Sequence, residues 1–151
     1  DDLRGVVGLG EAKIPVILAS LELAWRYLLD SDQPIIDSPE KAVELLADIR
    51  DKKQEYFVCL TLDGANRLIA KRVVTIGTLT ASLVHPREVF ADAITDRAAS
   101  IIVAHNHPSG SLRPSQVDIT TTERLKHAGE LLGVPLVYHL LITKQSFRII
   151  D

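Results

Sequence analysis

The residues with the clearest chemistry lie in one stretch, IIVAHNHPSGSLRPSQVDI, which covers positions 101–119. His105 and His107 end an apolar run, and Asp118 follows after a polar loop. Imidazole and carboxylate groups are common zinc ligands, and residues i and i+2 of an extended strand point the same way. Two histidines, one carboxylate and an open fourth position are typical of a catalytic zinc site. The spacing therefore predicts a site for one zinc ion.

The same residues also have a purely structural interpretation. Ser115 and Asp118 match the S-x-x-D pattern of a capping box, in which the carboxylate stabilises a helix N-terminus. His107 precedes a proline and would then be an ordinary loop residue. The capping and ligand roles of Asp118 are compatible, and an H-x-H pair alone would be weak evidence for a metal.

Strands and helices alternate around this stretch without a strict βαβ rhythm. Helical spacing of apolar residues predicts a first helix over 12–29, and Ser38 with Pro39 predicts the start of a second helix that reaches Lys53. Further helices are predicted over 87–97 and 115–133, and strands over 55–63, 67–77, 80–84, 99–105, 134–142 and 147–151. This order predicts an α/β (mixed α+β) fold, with a mixed sheet covered by helices on both faces and the 99–105 strand near its centre.

Composition limits the class of protein. The 151 residues are 46% hydrophobic with a formal charge of −3, which fits one globular domain and argues against binding to nucleic acid mainly by charge. The single cysteine, Cys59, excludes an internal disulfide and a multi-thiolate zinc site, and it favours a cytoplasmic location. The most apolar stretch, IPVILASLELAWRYLL, is too short to span a membrane and carries Glu22 and Arg26. We expect no membrane insertion and no export signal, and the lack of an initiator Met indicates a piece of a longer protein.

The loop sequence resembles a known family. HNHPSG followed by PSQVDI is similar to the JAMM (MPN-plus) metalloprotease motif in the form found in RadC-like proteins, and the similarity extends over about 77–122. The opening GLGEAK resembles the RadC N-terminal region more faintly. The resemblance implies a three-layer αβα, cytidine-deaminase-like JAMM domain over 38–151, preceded by a partial helix-hairpin-helix-like segment over 1–30.

The family's functional residues can be carried over position by position. His105, His107 and Asp118 match its zinc ligands, and Ser115 matches the serine proposed to stabilise the oxyanion. Glu55, just before the first core strand, is the best match to the general acid/base. A carboxylate there would take a proton from water and return it to the leaving amine.

Glu55 has no rigid spacing to the histidines, and its structural alternative is an exposed charge between a helix and a strand. Glu44 and Glu88 are weaker candidates because both fall on predicted helix surfaces. His139 is interpreted as a hydrogen-bonded sheet residue rather than a ligand. RadC-like chains often have Asp before this histidine, and Tyr138 departs from that pattern. His85 and His127 are expected at the surface.

The implied function is a zinc-dependent metallohydrolase, a peptidase or isopeptidase in which zinc-activated water attacks an amide carbonyl of a peptide or protein substrate. The alternative is a non-catalytic module associated with DNA repair, which binds DNA or protein and retains a structural metal site. VVGLGEAK resembles a phosphate-binding hairpin, but the near balance of charges over 1–26 does not favour DNA binding. The spacing matches neither an HNH nuclease nor a zinc deaminase. The sequence does not predict an oligomeric state.

Overall fold

A computed structural model describes residues 10, 12–31, 33–77 and 84–151. The chain divides between Gln33 and Pro34 into two compact units. In the first unit, helix α1 spans Lys13–Ser31. Most of the predicted hairpin over 6–13 lies outside the described residues. None of the described helices combines the length and the apolar character that crossing a membrane requires.

The second unit, Pro34–Asp151, carries the predicted mixed architecture. Its elements are α2 (Pro39–Leu45), a short 3-10 helix (Ala47–Ile49), β1 (Tyr56–Leu62), β2 (Leu68–Ile76), α3 (Pro86–Thr95), β3 (Ser100–Asn106), α4 (Gln116–Leu132), β4 (Leu136–Ile142) and β5 (Phe147–Ile149). The strand predicted over 80–84 lies, except for Val84, outside the described residues.

The five strands form one sheet in the order β2-β1-β3-β4-β5. β3 and β4 are parallel and the other neighbours are antiparallel, so the mixed sheet is confirmed. β3 is the middle strand, and all seven of its residues are buried, as its apolar run predicted. A fully buried strand needs apolar residues on both faces, which is why its sequence does not alternate.

Each face of the sheet has its own apolar core, because side chains of successive strand residues point to opposite sides. Val58, Leu60 and Leu62 of β1 face α2 and the 3-10 helix, whereas Phe57 and Cys59 face α3 and α4. The three-layer αβα arrangement is therefore present in this unit. The α4 face is the one that matters for the histidines, since it also receives Val103 of β3.

The second predicted helix ends earlier than expected. Its start is confirmed, with Ser38 as N-cap accepting from the Lys41 N–H at 3.4 Å, but α2 ends at Leu45 rather than continuing to Lys53. The chain then tightens into the 3-10 helix, in which residues three apart share a face, so Leu46 and Ile49 are both buried. The residues up to Glu55 are thereby left to form a loop that leads into β1.

Candidate metal centre

His105 and His107 lie at the carboxyl end of β3. His105 pairs with Leu141 of β4, and the His107 N–H donates to the Ile142 carbonyl at 2.8 Å, so the extended backbone continues past the formal end of the strand. Both imidazoles consequently point to the α4 face, with their Nε2 atoms 3.2 Å apart. His105 is completely buried, whereas the His107 side chain is 13% exposed.

Asp118 enters the same place from the first turn of α4. Its N–H donates to Ser115 Oγ at 3.2 Å, and its Oδ2 accepts from the Ser115 N–H at 2.7 Å, which completes a capping box. Its buried carboxylate also places Oδ1 3.4 Å from His105 Nε2 and Oδ2 3.7 Å from His107 Nε2. The cap and the approach to the histidines therefore coexist in one residue.

The hydrogen bond on the far side of the His107 ring fixes its tautomer. Its Nδ1 lies 3.0 Å from the Ser111 carbonyl oxygen, which can only accept. Nδ1 of His107 must therefore carry the proton, so Nε2 of the neutral ring presents a lone pair. That lone pair points toward Asp118 and His105.

A chain of hydrogen bonds fixes the tautomer of His105. The Thr122 hydroxyl donates its single hydrogen to the Asp118 backbone carbonyl at 2.7 Å, so it must accept from Nδ1–H of His139, 2.6 Å away. His139 Nε2 then accepts from Nδ1–H of His105 at 2.9 Å. This leaves Nε2 of His105 as a lone pair on the side of His107 and Asp118. Such support for a ligating histidine is common in metal sites.

Burial keeps these two inner histidines neutral. Burial lowers the pKa of His105 to about 4, and His107 adds to this lowering while the Asp118 carboxylate opposes it. Burial also lowers the pKa of His139 well below its ordinary value, with a further contribution from His105. A histidine ligand must be neutral, so the electrostatics of the pocket suit coordination.

The donor set fits a metal ion. Ligand atoms of His105, His107 and Asp118 all lie within 4.8 Å of one another. Two imidazole lone pairs and a carboxylate converge with no hydrogen to share among them, which is unfavourable unless a cation lies between them. These three side chains can therefore hold a metal ion, with the remaining coordination position open.

Glu55 lies immediately before β1 and is half-buried. Phe57 pairs with His105 in the antiparallel register and stacks on its ring, so Phe57 is on the same face. Extending that register by two residues places Glu55 opposite His107. Because side chains alternate along an extended chain, Glu55 belongs to the face that carries the two histidines.

Glu55 also lines a pocket beside residues 107–110, the HPSG loop. The pocket has a volume of about 350 Å³, and its lining residues are Lys53, Gln54, Glu55, Gly77, Pro108 and Ser109. The two alternative glutamates are placed elsewhere. Glu44 is exposed on α2, which covers the opposite face of the sheet, and Glu88 is exposed in the first turn of α3, where it pairs with Arg87.

Ser115 is the N-cap of α4, five residues after the HPSG loop. Its hydroxyl donates to Asp118 Oδ2 at 2.8 Å, so in this structure its hydrogen points at the ligand rather than outward. Ser115 lines an open groove of about 670 Å³ with Ser111, Arg113, Pro114, Gln116, Ile119 and Arg148. Two open depressions therefore lie next to the segment that follows His107 in the chain.

The remaining histidines are placed as the sequence indicated. His139 is a buried sheet residue with both ring nitrogens hydrogen-bonded, and His85 and His127 are exposed. The sequence did not predict that His139, through Thr122, links one candidate ligand to the backbone of another. The only signal was a lone histidine in the apolar strand that follows α4.

The comparison with protein-family models matches the RadC-like JAB domain to residues 36–149. The chain belongs to this family. This confirms the family resemblance that the HNHPSG motif indicated. The matched region contains Glu55, both histidines, Ser115 and Asp118.

Relatives support the same assignment. A UPF0758 protein of Methanospirillum hungatei is 47% identical over 148 residues, which are 95% of this chain and 66% of that protein. A UPF0758 protein of Bacillus licheniformis is 47% identical over 97% of this chain and 67% of its own length, and UPF0758 protein YsxA of Bacillus subtilis is 45% identical over 97% and 65%. The chain thus spans about two thirds of the length of these relatives.

Proposed function

We propose that this RadC-like JAB domain is a zinc-dependent hydrolase that cleaves peptide or isopeptide bonds. The observation that carries the proposal is the convergence of two imidazole lone pairs and one carboxylate. The register of β1 with β3, extended by two residues, supports it by assigning Glu55 to the same face of the sheet. Imidazole and carboxylate suit zinc, and three protein ligands with an open position are typical of catalytic rather than structural zinc sites. A structural site would close the fourth position with another side chain.

When bound, zinc would polarise the amide carbonyl and acidify the attacking water. His105, His107 and Asp118 would hold the ion. Glu55 would accept a proton from the water and deliver it to the leaving nitrogen as the C–N bond breaks, giving a carboxylate and an amine. Ser115 has one hydroxyl hydrogen, which donates to Asp118 here, so it would support the oxyanion only after turning toward the substrate.

The shape of the surface supports an extended substrate. The Glu55 pocket is lined by Pro108 and Ser109 of the HPSG loop, and the Ser115 groove by Ser111, the residue after that loop, so an extended polypeptide would have two surface depressions to occupy. The cytoplasmic location stays a prediction of the sequence, and DNA binding by the N-terminal segment stays an alternative that the sequence does not favour. Neither is needed for this reaction.

Metal analysis is the first test. We expect about one zinc ion per chain in the purified protein and almost none in His107→Ala, measured by mass spectrometry of the metal content. Competition among zinc, cobalt and manganese would establish which ion binds most tightly. A parent protein without tightly held zinc would exclude the zinc-enzyme proposal.

Cleavage is the second test. The zinc-loaded protein is incubated with a proteome-derived peptide library and with an isopeptide-linked peptide, and new termini are identified by mass spectrometry. Glu55→Gln should keep zinc and lose cleavage, whereas retained cleavage would refute Glu55 as the acid/base. Zinc binding without any cleavage by the parent would favour the alternative, a non-catalytic module with a structural metal.

A further inference from the structure

Asn106 separates the two histidines in HNH and points the other way. Because side chains alternate along β3, its amide lies on the face opposite the imidazoles. The residue is completely buried. A buried polar side chain needs hydrogen-bond partners, and those of Asn106 lie in the loop that leads to Glu55 and at Tyr56, the first residue of β1.

The amide head of Asn106 is saturated by backbone groups of this loop. Its Oδ1 accepts from the Tyr56 N–H at 2.7 Å. Its Nδ2 donates to the Gln54 carbonyl at 3.0 Å and to the Lys52 carbonyl at 3.4 Å. The contacts therefore fall on both sides of Glu55 in the sequence.

The backbone of Glu55 itself is held from the opposite direction. The Gly77 N–H, just after β2, donates to the Glu55 carbonyl at 2.9 Å. Residues 52–56 are thus fixed between Asn106 on one side and the end of β2 on the other. Extended by two residues, the register of β1 with β3 assigns Glu55 to the face of the sheet that carries the histidines.

From these contacts we infer that Asn106 is a positioning residue for Glu55. Asn106 holds the backbone on either side of Glu55 next to the end of β3, so that the Glu55 carboxylate keeps a fixed distance from the two histidines. The inference rests on the proposed function, because it assigns Glu55 the role of base. In the HNH sequence, His105 and His107 would then bind the metal, while Asn106 would hold the backbone around Glu55.

The chemistry of the contacts explains why asparagine is needed. One short side chain must accept from one N–H and donate to two carbonyls, which an amide does and a hydroxyl or carboxylate does not. An aspartate would retain the acceptor for Tyr56 but would direct negative charge at the Gln54 and Lys52 carbonyls. A displacement of about 1 Å at a reacting group can lower turnover on the order of 100-fold.

The test compares Asn106→Ala and Asn106→Asp with the parent, each in the presence of Glu55 and of Glu55→Gln. The substrate is a fluorogenic peptide built on the sequence that the library experiment shows to be cleaved best. We expect kcat to fall roughly 10- to 100-fold with KM and zinc content unchanged. Glu55→Gln is compared by its slow residual cleavage over long incubations with excess enzyme. In that background the same substitutions should lower the residual rate no further, since Asn106 acts through Glu55.

A second measurement follows the loop directly and does not require cleavage. Hydrogen exchange at the Tyr56 amide, which donates to Asn106 Oδ1, should become faster in Asn106→Ala. Asn106→Asp retains an acceptor for this N–H, so exchange there should stay closer to that of the parent. Thr122→Val serves as the matched control, because it alters a buried polar group on the His139 side and should leave exchange at Tyr56 unchanged. Melting temperatures establish that each variant is folded. If Asn106→Ala does not fold, Asn106→Asp carries the test through the kcat comparison with and without Glu55.

Faster exchange at Tyr56, together with a kcat loss that disappears in Glu55→Gln, would support the inference. Unchanged exchange in Asn106→Ala, loss of zinc, or an equal kcat loss with and without Glu55 would overturn it. A parent that cleaves nothing would overturn the proposed function instead, and exchange at Tyr56 would then decide the loop-holding role by itself.

Discussion

The two histidines of the metal centre are supported by different parts of the molecule. His105 is completely buried, and its ring is oriented by side chains of β4 and α4, namely His139 and Thr122. His107 is partly exposed, and its ring is oriented by the backbone carbonyl of Ser111, four residues along the same loop. We call the first arrangement the sheet side and the second the loop side.

Because of this difference, a change on the sheet side should affect both the stability of the domain and metal binding, whereas a change on the loop side should affect mainly metal binding. The sheet side belongs to the packed interior, so a change there disturbs buried hydrogen bonds and packing as well as the metal ligand. The loop side is local in sequence and near solvent, so a change there affects the ligand while the core is left intact. Disrupting each side in turn tests whether the two contributions are separable.

The largest effect is expected from removing each ligand. Both His105→Ala and His107→Ala should abolish tight zinc binding. In the metal-free state, His105→Ala should also lower the free energy of unfolding by about 3 kcal/mol, because it leaves a cavity and an unpaired His139. His107→Ala should lower it by less than about 1 kcal/mol. Urea unfolding in the presence of a chelator, beside metal analysis, measures both quantities.

Equal destabilisation by the two alanine variants would show that the loop side is as much part of the core as the sheet side. His127→Ala, an exposed histidine on α4, is the control and should change neither quantity.

The sheet side should also make the metal-free protein sensitive to pH. Burial lowers the pKa of His105 to about 4, while an unfolded histidine titrates near 6.5. Between these values the unfolded chain binds more protons, so stability is complete above pH 6.5 and falls as the pH is lowered. The free energy of unfolding should fall by about 2 kcal/mol between pH 7.5 and 5 because of His105 alone. His139, whose pKa is also lowered by burial, adds a loss in the same direction.

Urea unfolding with chelator at several pH values measures this slope. His139→Phe removes one of the two buried imidazoles, so the free energy of unfolding should depend less steeply on pH than in the parent. A slope that is the same in both proteins would mean that His139 does not contribute.

Much of the centre could be predicted because it follows local rules. Strand alternation places His105 and His107 on one face, and the capping pattern places Asp118 in the first turn of α4. Both rules act within a few residues. They also predicted the central position of β3, since a continuous apolar run is typical of a strand buried on both faces.

The rest depends on contacts between distant parts of the chain. The face of the sheet to which Glu55 belongs depends on the pairing of β1 with β3, and no spacing in the sequence specifies that register. His139 meets His105 because α4 returns the chain to a strand parallel to β3. The early end of α2 has the same origin, because burial of Leu46 and Ile49 overrides the helical pattern that favoured a longer helix.

A smaller effect is expected from weakening the support of a ligand without removing it. His139→Phe leaves Nδ1–H of His105 without its acceptor and should lower zinc affinity about 10- to 100-fold. On the loop side, Ser111→Ala retains the backbone carbonyl that orients His107, so zinc affinity should hardly change. Competition with a chromophoric chelator measures both affinities. A loss in Ser111→Ala as large as that in His139→Phe would contradict the assigned supports.

The smallest effect is expected at the N-cap of α4, where Ser115 both stabilises the helix and donates a hydrogen bond to Asp118. Ser115→Ala removes the N-cap of α4 and should lower the free energy of unfolding by about 1 kcal/mol. Ser38→Ala removes the corresponding cap of α2, on the opposite face of the sheet, and should have a similar effect on stability. Only Ser115→Ala should also reduce turnover, because only Ser115 contacts a candidate ligand through its hydroxyl. Thermal unfolding and cleavage of the same fluorogenic peptide distinguish the two roles: equal turnover in the two variants would leave Ser115 as a helix cap alone.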